Sequence, residues 1–583
     1  MRYCIFENVR YFKPHNDNKG RPIVQAVGID TETYVTGKPF LFCTSEQDNF
    51  NLSQVPDIFF TRKYIDRHFV VWNLKFDGGS LLYNLPSYTL NILRVEGQVV
   101  YKDTKYSYIP HKKLRIVRKG HGVTFWNLAQ YFSMSLDQAA FKYLGKHKEA
   151  LETKSFTPAY VAEHRDKIIS YCIRDAVLTS LLYDYMVEGL QKFSLVPTAL
   201  YSTASLSYQY FRARIKIPDV WAIWCKHRYL LKLAFWAYAG GKFEMLKRGK
   251  FDGYNYDINS AYPYEMSRLR SLDGAKLVCR SQYMPGADYG FLKVCIDNSD
   301  NYFLPCTIRP QGYNIYPAGV YYSTITKEEY EYLIELKIPV KIYSAFWIFC
   351  RGNKYPFKNI VHDLYAMKQS YKGVDARQYH LVKIMANSFY GKMAQTIKMR
   401  DGTLKAGACW NPIFASIITA NTRIRICRMQ NKYKPFIYAV HTDSILTTKP
   451  LPARELSDDL GAWQLAGRGK GVVVACGVYQ IDKKYALRGF HTVDKRDLLH
   501  ILKDNRNRES AILQELDVKS WYECSFRKKK ALTNRFIIEP KELDFNQDIK
   551  RNWPSRVTGG RLLDQVQQSY PLLVVQKQNP FIR

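Results

Sequence analysis

Two apolar runs meet at a polar turn in the stretch Phe436–Thr448, and this stretch constrains the fold more than any other part of the sequence. The runs are rich in β-branched residues, and His441, Thr442 and Asp443 separate them. Such a pattern predicts a β-hairpin that lifts the Asp443 carboxylate out of the sheet. An aspartate in a hairpin turn often has no role beyond the turn itself, so its meaning depends on the other acidic residues of the chain.

A second aspartate, Asp257, ends a predicted apolar strand, and Pro263 is expected to stop the chain from continuing that strand. Between the two aspartates, Gln378–Thr396 has the apolar spacing of a helix. Three of its residues are spaced i, i+4 and i+7 and share one face: Lys383, Asn387 and Tyr390. Two carboxylates with cationic and aromatic helical residues outline a two-metal site for phosphoryl transfer.

Acidic residues also follow apolar runs in the N-terminal third. Val24–Asp30 predicts a buried strand that ends in Asp30 and Glu32. Residues i and i+2 of a strand point to the same side, and a divalent cation would offset the repulsion between the two carboxylates. Asp77 follows a second predicted strand, His68–Trp72, at two glycines where we expect the chain to turn. The alternative is a pair of exposed strand ends that carry acids without a metal.

A long helix is predicted over Asp166–Phe193, with Tyr171 and Asp175 at i and i+4 on one face. That face could equally be a solvated one. Together with the strand acids, however, Asp175 makes a fourth carboxylate. Four acids can hold two metal ions about 3.5–4 Å apart, which is an arrangement suited to phosphodiester hydrolysis.

The charge of the chain indicates a polyanionic partner. Its 583 residues exceed a single core, and 86 basic against 52 acidic residues give a net charge of +34. The 45 tyrosines suit stacking on nucleic-acid bases, although a chain that is merely basic is the bland alternative. The 12 cysteines are widely spaced, and we expect reduced thiols. No apolar run is long enough to span a membrane, so we expect no membrane partner.

Three N-terminal motifs resemble, in order and spacing, the 3′–5′ proofreading exonuclease of family B DNA polymerases. They are Asp30-Thr-Glu32, Asn73-Leu-Lys-Phe-Asp77 and Tyr171-Cys-Ile-Arg-Asp175. The resemblance implies that Asp30, Glu32, Asp77 and Asp175 bind metal and that Tyr171 assists catalysis. It also implies that Asn73 and Phe76 contact DNA.

The remainder resembles the polymerase half of the same family. Tyr238-Ala-Gly-Gly241 is similar to its Tyr-x-Gly-Gly motif, and Asp257–Pro263 is similar to motif A. Lys383–Gly391 resembles motif B, and Met367-Lys368 resembles the stretch before it. Motif C departs from the usual Tyr-x-Asp-Thr-Asp-Ser, because His441 replaces the first acid and one residue is added after Tyr438. This departure puts the metal preference in doubt.

The resemblance assigns a role to each matching position. Asp257 and Asp443 would bind metal and catalyse nucleotide transfer. The residues implied for the incoming nucleotide are Tyr262, Lys368, Lys383, Asn387 and Tyr390, and the Tyr262 ring would exclude a ribose 2′-hydroxyl. The positions implied for DNA are Tyr238, Gly240, Gly241, Gly391, Lys483 and Tyr485, the last two in a Lys-x-Tyr motif that would contact the primer. A plain surface role is the alternative for Lys368 and for the Lys-x-Tyr pair.

The length of the chain and the segment between motifs A and B resemble the protein-primed branch, as in phages of the phi-29 group. The implied fold is α/β and multidomain, with an N-terminal RNase H-like exonuclease domain followed by a right-hand polymerase of palm, fingers and thumb. The predicted boundaries are 1–195 for the exonuclease, 196–264 for the linker and first palm segment, 265–363 for palm and a protein-priming insertion, 364–393 for fingers, 394–410 for a short second insertion, 411–495 for palm and 496–583 for thumb.

The resemblance implies two Mg²⁺ (or Mn²⁺) ions per active site, and primer-template DNA and deoxynucleoside triphosphates as partners. A terminal protein would be the primer. Because the arms around Arg400–Thr403 are short, we also expect a single-strand-binding or displacement partner. The expected location is the cytoplasm or nucleoid of a host cell, with the gene carried by a virus or linear mobile element. Competing hypotheses are an exonuclease with a degenerate polymerase half and a non-catalytic DNA-binding protein.

Overall fold

The computed structural model describes residues 9–10, 21–151, 156–399, 402–492, 496–519 and 535–576. The first region, up to Gln191, contains nine strands and five helices. The strands are β1 Val9–Arg10, β2 Val27–Thr33, β3 Pro39–Thr44, β4 Asn49–Phe50, β5 His68–Val71, β6 Gln98–Tyr101, β7 Thr104–Ile109, β8 Lys113–Arg118 and β9 His121–Asn127. The helices are α1 Leu74–Leu81, α2 Ser87–Glu96, α3 Leu136–Leu144, α4 Pro158–Glu163 and α5 Arg165–Gln191.

The second region extends to Ser388. Its helices are α6 Thr203–Arg214, α7 Trp221–Lys226, α8 Arg228–Ala237, α9 Ala261–Ser267, α10 Lys327–Glu335, α11 Lys358–Tyr371 and α12 Ala376–Ser388. Its strands are β10 Lys242–Met245, β11 Lys247–Ile258, β12 Lys276–Cys279, β13 Tyr289–Asn298, β14 Ala318–Thr326 and β15 Val340–Phe349.

The third region completes the chain. Its strands are β16 Thr396–Lys398, β17 Leu404–Ala406, β18 Ile437–Thr442, β19 Ser444–Thr447, β20 Trp463–Ala475, β21 Val478–Ile481, β22 Lys484–Leu487, β23 Ser510–Lys519, β24 Arg535–Asp544, β25 Arg551–Asn552, β26 Val566–Gln568, β27 Tyr570–Pro571 and β28 Leu573–Val575. Its helices are α13 Pro412–Lys432, α14 Leu498–Asp504 and α15 Gly559–Asp564. Within the described ranges, no helix has the length and apolarity that a membrane crossing requires.

An eight-stranded sheet organises the N-terminal part, in the order β4-β3-β2-β5-β9-β8-β7-β6. Strands β2, β5 and β9 are parallel neighbours, and the other pairs are antiparallel. Along β2, Val27 and Ile29 point into an aromatic core that includes Phe59 and Phe69. Side chains alternate along a strand, so Asp30 and Glu32 point to the opposite face of the sheet, where helix α5 packs.

Two details of this region differ from the sequence predictions. Asp30 and Glu32 lie inside β2 rather than at its end, because pairing with β3 continues to Thr33. The expected turn after Asp77 is wrong, since the two glycines lie inside helix α1. Asn73 caps that helix by accepting a hydrogen bond from the Lys75 amide at 3.2 Å, and this cap starts a helix where the glycines alone indicated a turn.

Helix α5 confirms the predicted long helix to within two residues at each end. It lies against β2 at Gly28, where a Cβ atom would stand 2.0 Å from the Ala176 carbonyl oxygen. Only a residue without a side chain allows this approach. The approach places the acid-bearing face of α5 directly over the acid-bearing face of β2.

A second eight-stranded sheet, entirely antiparallel, contains β10-β18-β19-β11-β20-β21-β22, with β26 added beside β11. The predicted hairpin is confirmed as β18 and β19, and Asp443 stands alone in its turn. The prediction that Pro263 stops the Asp257 strand is wrong. Strand β11 ends at Ile258, and Pro263 lies in the first turn of helix α9, where its missing amide hydrogen costs nothing.

The predicted helix over Gln378–Thr396 is shorter than expected. Helix α12 ends at Ser388, and Tyr390–Ala394 form a 3-10 turn, so Tyr390 lies beyond the α-helical face of Lys383. The predicted boundary at residue 364 falls inside helix α11. Strands β16 and β17 pair over three residues each, which confirms short hairpin arms, but Arg400 and Asp401 of the predicted turn lie outside the described residues.

Segment 265–363 supplies four strands of a five-stranded sheet, β12-β15-β13-β14-β28, and the C-terminal part of the chain supplies the fifth. Among the described residues of the predicted thumb segment, 496–583, the hairpin β23–β24 forms a two-stranded sheet of its own. Strand β26 pairs with β11, and β28 pairs in parallel with β14. The last strands of the described chain therefore add to both the central sheet and the five-stranded sheet.

We predict that Gly28→Ala destabilises the N-terminal sheet by about 1–3 kcal/mol, because the added methyl group must push α5 away from β2. The matched control is Gly467→Ala, where an added Cβ meets nothing within 4 Å. Hydrogen exchange measured by mass spectrometry should show faster exchange in β2 and α5 for Gly28→Ala only. Equal exchange in the two variants would contradict the packing argument.

Candidate active sites

The first candidate site is a cavity of about 720 Å³ between β2, α1 and α5. All seven N-terminal residues selected from the sequence line it: Asp30, Glu32, Asn73, Phe76, Asp77, Tyr171 and Asp175. Strand β2 supplies the first two, helix α1 and its cap supply the next three, and α5 supplies the last two. Residues separated by more than 140 positions in the chain thus meet at one point.

Burial and mutual repulsion raise the pKa of every carboxyl group in this cavity. Loss of solvent is the larger cause for Asp30, with Asp175 and Glu32 adding to it. The pKa of Glu32 rises to about 8 by burial and by its proximity to Asp175. The pKa of Asp77 rises to about 7 by burial, although a hydrogen bond from Thr31 at 2.9 Å opposes that rise. These groups ionise together only if positive charge enters the cavity.

The donor atoms of the cavity fit a divalent metal ion. Carboxylate oxygens of Asp30 and Glu32 belong to a group of ligand atoms that all lie within 4.8 Å of one another. Oxygen Oδ1 of Asp175 is buried and has no hydrogen-bond partner. Clustered carboxylate oxygens are the ligands that Mg²⁺ and Mn²⁺ prefer. The residues present therefore suit the ions that the sequence implied.

Sequence reasoning missed Lys148, which forms an ion pair with Asp175 Oδ2 and lies 5.2 Å from the centre of the Tyr171 ring. The carboxylate raises the pKa of Lys148, and the ammonium group stays charged. The only sequence signal is a run of lysines before α5, which resembles any solvated basic segment.

The hairpin β23–β24 also reaches this cavity, which no sequence pattern predicted. Ile537 and Ile538 line the cavity, and the Lys75 ammonium group lies 2.7 Å from an Asp517 carboxylate oxygen. A segment more than 400 residues away in the chain therefore forms one wall of the site.

The second candidate site lies on the central sheet. Asp257 on β11 is paired with Ser444, the residue after Asp443, and the Ile258 amide donates to the Asp443 carbonyl oxygen at 2.8 Å. Burial, and then the nearby Asp257, raise the pKa of Asp443 to about 6. Asp257 Oδ1 is buried without a hydrogen-bond partner. This pair of carboxylates also fits a divalent cation.

His441, which replaces an acid in motif C, is buried between two aromatic rings. Its ring centre lies 4.8 Å from that of Phe243 and 5.1 Å from that of Tyr479, to which it is nearly parallel. Burial, aided by Arg488, lowers the pKa of His441 to about 4, so the side chain is neutral near pH 7. The departure therefore removes a negative charge without adding a positive one.

Two lysines border the Asp257–Asp443 site. Lys368 on α11 donates to Asn259 Oδ1 at 2.9 Å and to Ser260 Oγ at 3.2 Å. Burial and the charge of Lys383 lower the pKa of Lys368 to about 8, while Asp257 opposes that shift. Lys383 is exposed on α12, and Asn387 is half-buried on the same helix. The site thus has cationic groups beside its carboxylates.

Tyr262 and Tyr390 form an aromatic pair with ring centres 4.1 Å apart. Gly241 lies against this pair, because a Cβ atom there would stand 2.9 Å from the Tyr262 hydroxyl oxygen and 2.7 Å from a Thr442 methyl carbon. The glycine allows the Tyr238–Gly241 loop to touch both the Tyr262 helix and the hairpin.

Side chains from other segments donate hydrogen bonds to the carbonyl oxygens of the Tyr238–Gly241 loop. Arg309 donates to the carbonyl of Tyr238, Asn314 donates to that of Ala239, and Arg423 donates to that of Gly240 at 2.6 Å. Sequence patterns gave no sign of these three residues. Their hydrogen bonds fix the direction in which the loop presents its backbone.

The remaining predicted residues lie at the edges of the site. Gly391 belongs to the 3-10 turn after α12, and an added Cβ there would meet nothing within 4 Å, so local packing does not require a glycine. Lys483 lies in the turn between β21 and β22. Tyr485 on β22 is 45% exposed and lines a cavity of about 310 Å³ with Arg468 and Tyr479.

Comparison with known proteins identifies the family. Residues 94–403 match the family model described as DNA polymerase type B, organellar and viral. The DNA polymerase of Acidianus bottle-shaped virus is 24% identical over 462 residues, which cover 70% of this chain and 67% of that protein. A probable DNA polymerase of Ascobolus immersus is 26% identical over 336 residues, which cover 50% of this chain but only 27% of the fungal protein.

Solved structures show the same fold. Phi29 DNA polymerase complexed with primer-template DNA and incoming nucleotide has a TM-score of 0.60 and 16% identity, covering 89% of this chain and 99% of that one. The orthorhombic crystal form of phi29 DNA polymerase has a TM-score of 0.56. The predicted α/β multidomain fold, with an exonuclease-type domain before a right-hand polymerase, is confirmed. Because the family model covers more than half of its residues, this chain belongs to the organellar and viral type B DNA polymerases.

Proposed function

We propose that this DNA polymerase combines templated synthesis at the Asp257–Asp443 site with 3′–5′ proofreading at the N-terminal cavity, and that it starts synthesis from a protein primer. The observation that carries the proposal is the presence of two separate carboxylate clusters in a chain of net charge +34. A purely DNA-binding protein has no use for buried, mutually repelling acids, which cost free energy unless metal ions offset their charge.

At the central sheet, Asp257 and Asp443 are the residues that would hold two Mg²⁺ or Mn²⁺ ions. When bound, such ions lower the barrier to in-line attack by a primer 3′-hydroxyl on the α-phosphate of a nucleotide. Lys383 and Lys368 are proposed to bind the triphosphate and to neutralise its charge. Asn387 and Tyr390 would line the pocket of the nascent base pair.

Tyr262 is proposed to select deoxynucleotides. Its ring packs against that of Tyr390 and its hydroxyl lies close to Gly241, so the side chain has little freedom to move aside. A fixed ring beneath the sugar would exclude a 2′-hydroxyl by steric overlap.

In the N-terminal cavity, Asp30, Glu32, Asp77 and Asp175 would hold the ions for phosphodiester hydrolysis, which activate water and stabilise the leaving oxygen. Tyr171 and Lys148 stand beside Asp175 and are proposed to orient the attacking water. Supporting this role, Asp175 keeps one unpartnered oxygen while Lys148 holds the other.

Contacts with DNA are proposed at three places. Asn73 and Phe76 would hold a single-stranded 3′ end in the N-terminal cavity. The backbone of the Tyr238–Gly241 loop and Gly391 would approach the template, because glycines allow close contact with phosphates. Lys483 and Tyr485 would contact the primer strand.

Protein priming is proposed from the four strands that segment 265–363 adds to the five-stranded sheet, together with the phi29-like fold. Primer-template DNA, deoxynucleoside triphosphates, a terminal protein and a displacement partner are the proposed partners. The proposed source is a virus or linear mobile element, and the proposed place of action is the cytoplasm or nucleoid of its host.

An exonuclease with an inactive polymerase half is the alternative function. It is disfavoured because both polymerase carboxylates and both lysines converge on one site.

Replacing either polymerase carboxylate tests the central site. Asp443→Asn or Asp257→Asn should abolish primer extension with deoxynucleotides and Mg²⁺, because each change removes a metal ligand, while degradation of single strands continues. The matched control is Asp252→Asn, an exposed aspartate on the same strand β11. Extension by either site variant at close to the unmodified rate would rule out these ligands, and a failure of the unmodified chain to extend a primer would favour the alternative.

Replacing the β2 acids tests the N-terminal site. Asp30→Ala with Glu32→Ala should reduce 3′–5′ degradation by several orders of magnitude and leave synthesis in place with more errors. Degradation of a labelled single strand and the misincorporation frequency measure the two effects. Glu46→Ala on the surface of the same domain should change neither. The assignment fails if the double variant still degrades DNA normally.

Sugar selection is tested at Tyr262. Tyr262→Val should raise ribonucleotide insertion relative to deoxynucleotide insertion, because the smaller side chain leaves room for a 2′-hydroxyl. Tyr262→Phe keeps the ring and should keep the selection. The ratio of kcat/KM for the two nucleotide types is the measurement, and an unchanged ratio in the valine variant excludes the steric role.

A further inference from the structure

Two cysteines lie beneath the N-terminal acidic cavity, and the sequence motifs give them no role. Cys172 is on α5, one residue after Tyr171, and its Sγ lies within 4.8 Å of carboxylate oxygens of both Asp30 and Glu32. Cys43 is on β3, and both side chains are fully buried. A thiol group is therefore in reach of the carboxylates that suit a metal ion.

The fold places both thiols there by register. Asp30 pairs directly with Cys43 across β2 and β3, so their side chains share a face of the sheet. Cys172 and Asp175 are three residues apart on α5 and share the face that packs on β2. The Cys43 thiol donates to the Ile169 carbonyl oxygen at 3.9 Å, and Cys43 and Cys172 belong to one buried apolar cluster. Packing in this cluster holds the Cys172 sulfur in place.

An independent observation indicates that the cavity has unused ligand capacity. Asp175 is almost fully buried, yet its Oδ1 atom has no hydrogen-bond partner. A buried oxygen without a partner destabilises the folded protein unless a cation or a hydrogen-bond donor binds to it. Among the described residues, no cysteine joins the Asp257–Asp443 pair in a comparable three-ligand group.

We propose that Cys172, Asp30 and Glu32 form a binding site for a thiophilic divalent cation, such as Zn²⁺ or Cd²⁺, within the N-terminal cavity. Thiolate ligands favour these ions over Mg²⁺. A zinc ion binds sulfur at about 2.3 Å and carboxylate oxygen at about 2.0–2.2 Å, so one ion spans the observed separation after a small side-chain shift. On binding, the Cys172 thiol releases its proton to water and the metal–sulfur bond forms.

The consequence for activity rests on the proposed proofreading function of the cavity. A tightly held soft cation occupies the carboxylates that Mg²⁺ needs, so DNA degradation stops. The central site has only oxygen ligands and keeps its preference for Mg²⁺. Trace zinc would therefore suppress editing before it suppresses synthesis.

Cadmium binding tests the site without any activity measurement. Titration of the full chain with Cd²⁺ should produce the near-ultraviolet charge-transfer absorption of a cadmium–thiolate bond. Cys172→Ser, and Cys172→Ala as a second variant in case the first is unstable, should lose one bound Cd²⁺ per chain together with its absorption. The matched control Cys225→Ser removes an exposed cysteine on α7 and should keep that buried component. Equal cadmium absorption in the Cys172 variants and the control would overturn the proposal.

Inhibition measured in the presence of Mg²⁺ tests the consequence. Cd²⁺ should inhibit single-strand degradation at concentrations at least about tenfold lower in the unmodified chain than in the Cys172 variants, with each variant compared with its own uninhibited rate. Primer extension should show the same Cd²⁺ sensitivity in all chains. A Cd²⁺ sensitivity of degradation that does not depend on Cys172 would overturn the selective effect. If the unmodified chain degrades no DNA, the proofreading proposal fails, whereas the cadmium absorption still decides the site.

Discussion

Arg423 is the buried charge on which the polymerase half depends. From the middle of helix α13, its guanidinium group donates to the Pro305 carbonyl at 3.1 Å, to the Gly240 carbonyl at 2.6 Å and to Glu329 at 2.7 Å. A buried arginine is tolerated only when such bonds satisfy it, and its planar fork reaches three segments at once in a way that a lysine cannot. By holding Gly240 it also positions Gly241, whose backbone lies close to Tyr262 and to Thr442 on β18. The approach of this loop to Tyr262 and to strand β18 is thus set by the hydrogen bonds of a buried arginine.

The two carboxylate clusters meet the same electrostatic problem in different ways. Four acids surround the N-terminal cavity, and a single ammonium group, that of Lys148, offsets part of their repulsion. The central site has two acids with Lys368 and Lys383 nearby, and the neighbouring His441 is neutral near pH 7. The first cluster therefore needs more external positive charge than the second. Burial is the main cause of the raised pKa values in both clusters, and repulsion between neighbouring acids adds to it, with Glu32 at about 8 against about 6 for Asp443.

The sequence predicted those elements whose signals lie in a short stretch of the chain. The hairpin around Asp443, the strand of Asp257 and the helix of Asp175 all follow from apolar periodicity. Asp175 lines the N-terminal cavity, and Asp257 lies beside the hairpin of Asp443 on the central sheet. Sequence reasoning failed where a local signal was ambiguous: the glycines after Asp77 pack inside a capped helix, and Pro263 lies in the first turn of a helix instead of ending a strand. It could not reach Lys148, Arg309 or Arg423, because their partners lie far away in the chain and a basic residue in a basic chain carries no distinguishing pattern. For the same reason the sequence did not predict that Ile537 and Ile538 line the N-terminal cavity, which they contact only in the folded chain.

The pairing of β26 with β11 has a consequence for how the chain folds during synthesis. Arg248 on β11 is bonded to Gln567 on β26, a partner 319 residues later. The N-terminal sheet, by contrast, closes within residues 27–127. Ribosomes add about 5–20 residues per second, so the edge of β11 waits tens of seconds for its neighbour while the N-terminal sheet is already complete. An unpaired strand edge invites pairing with other chains. The part of β11 that waits for β26 is Lys247–Gly249, and this edge is therefore a point at which newly made chains are exposed to misassembly or to chaperone capture.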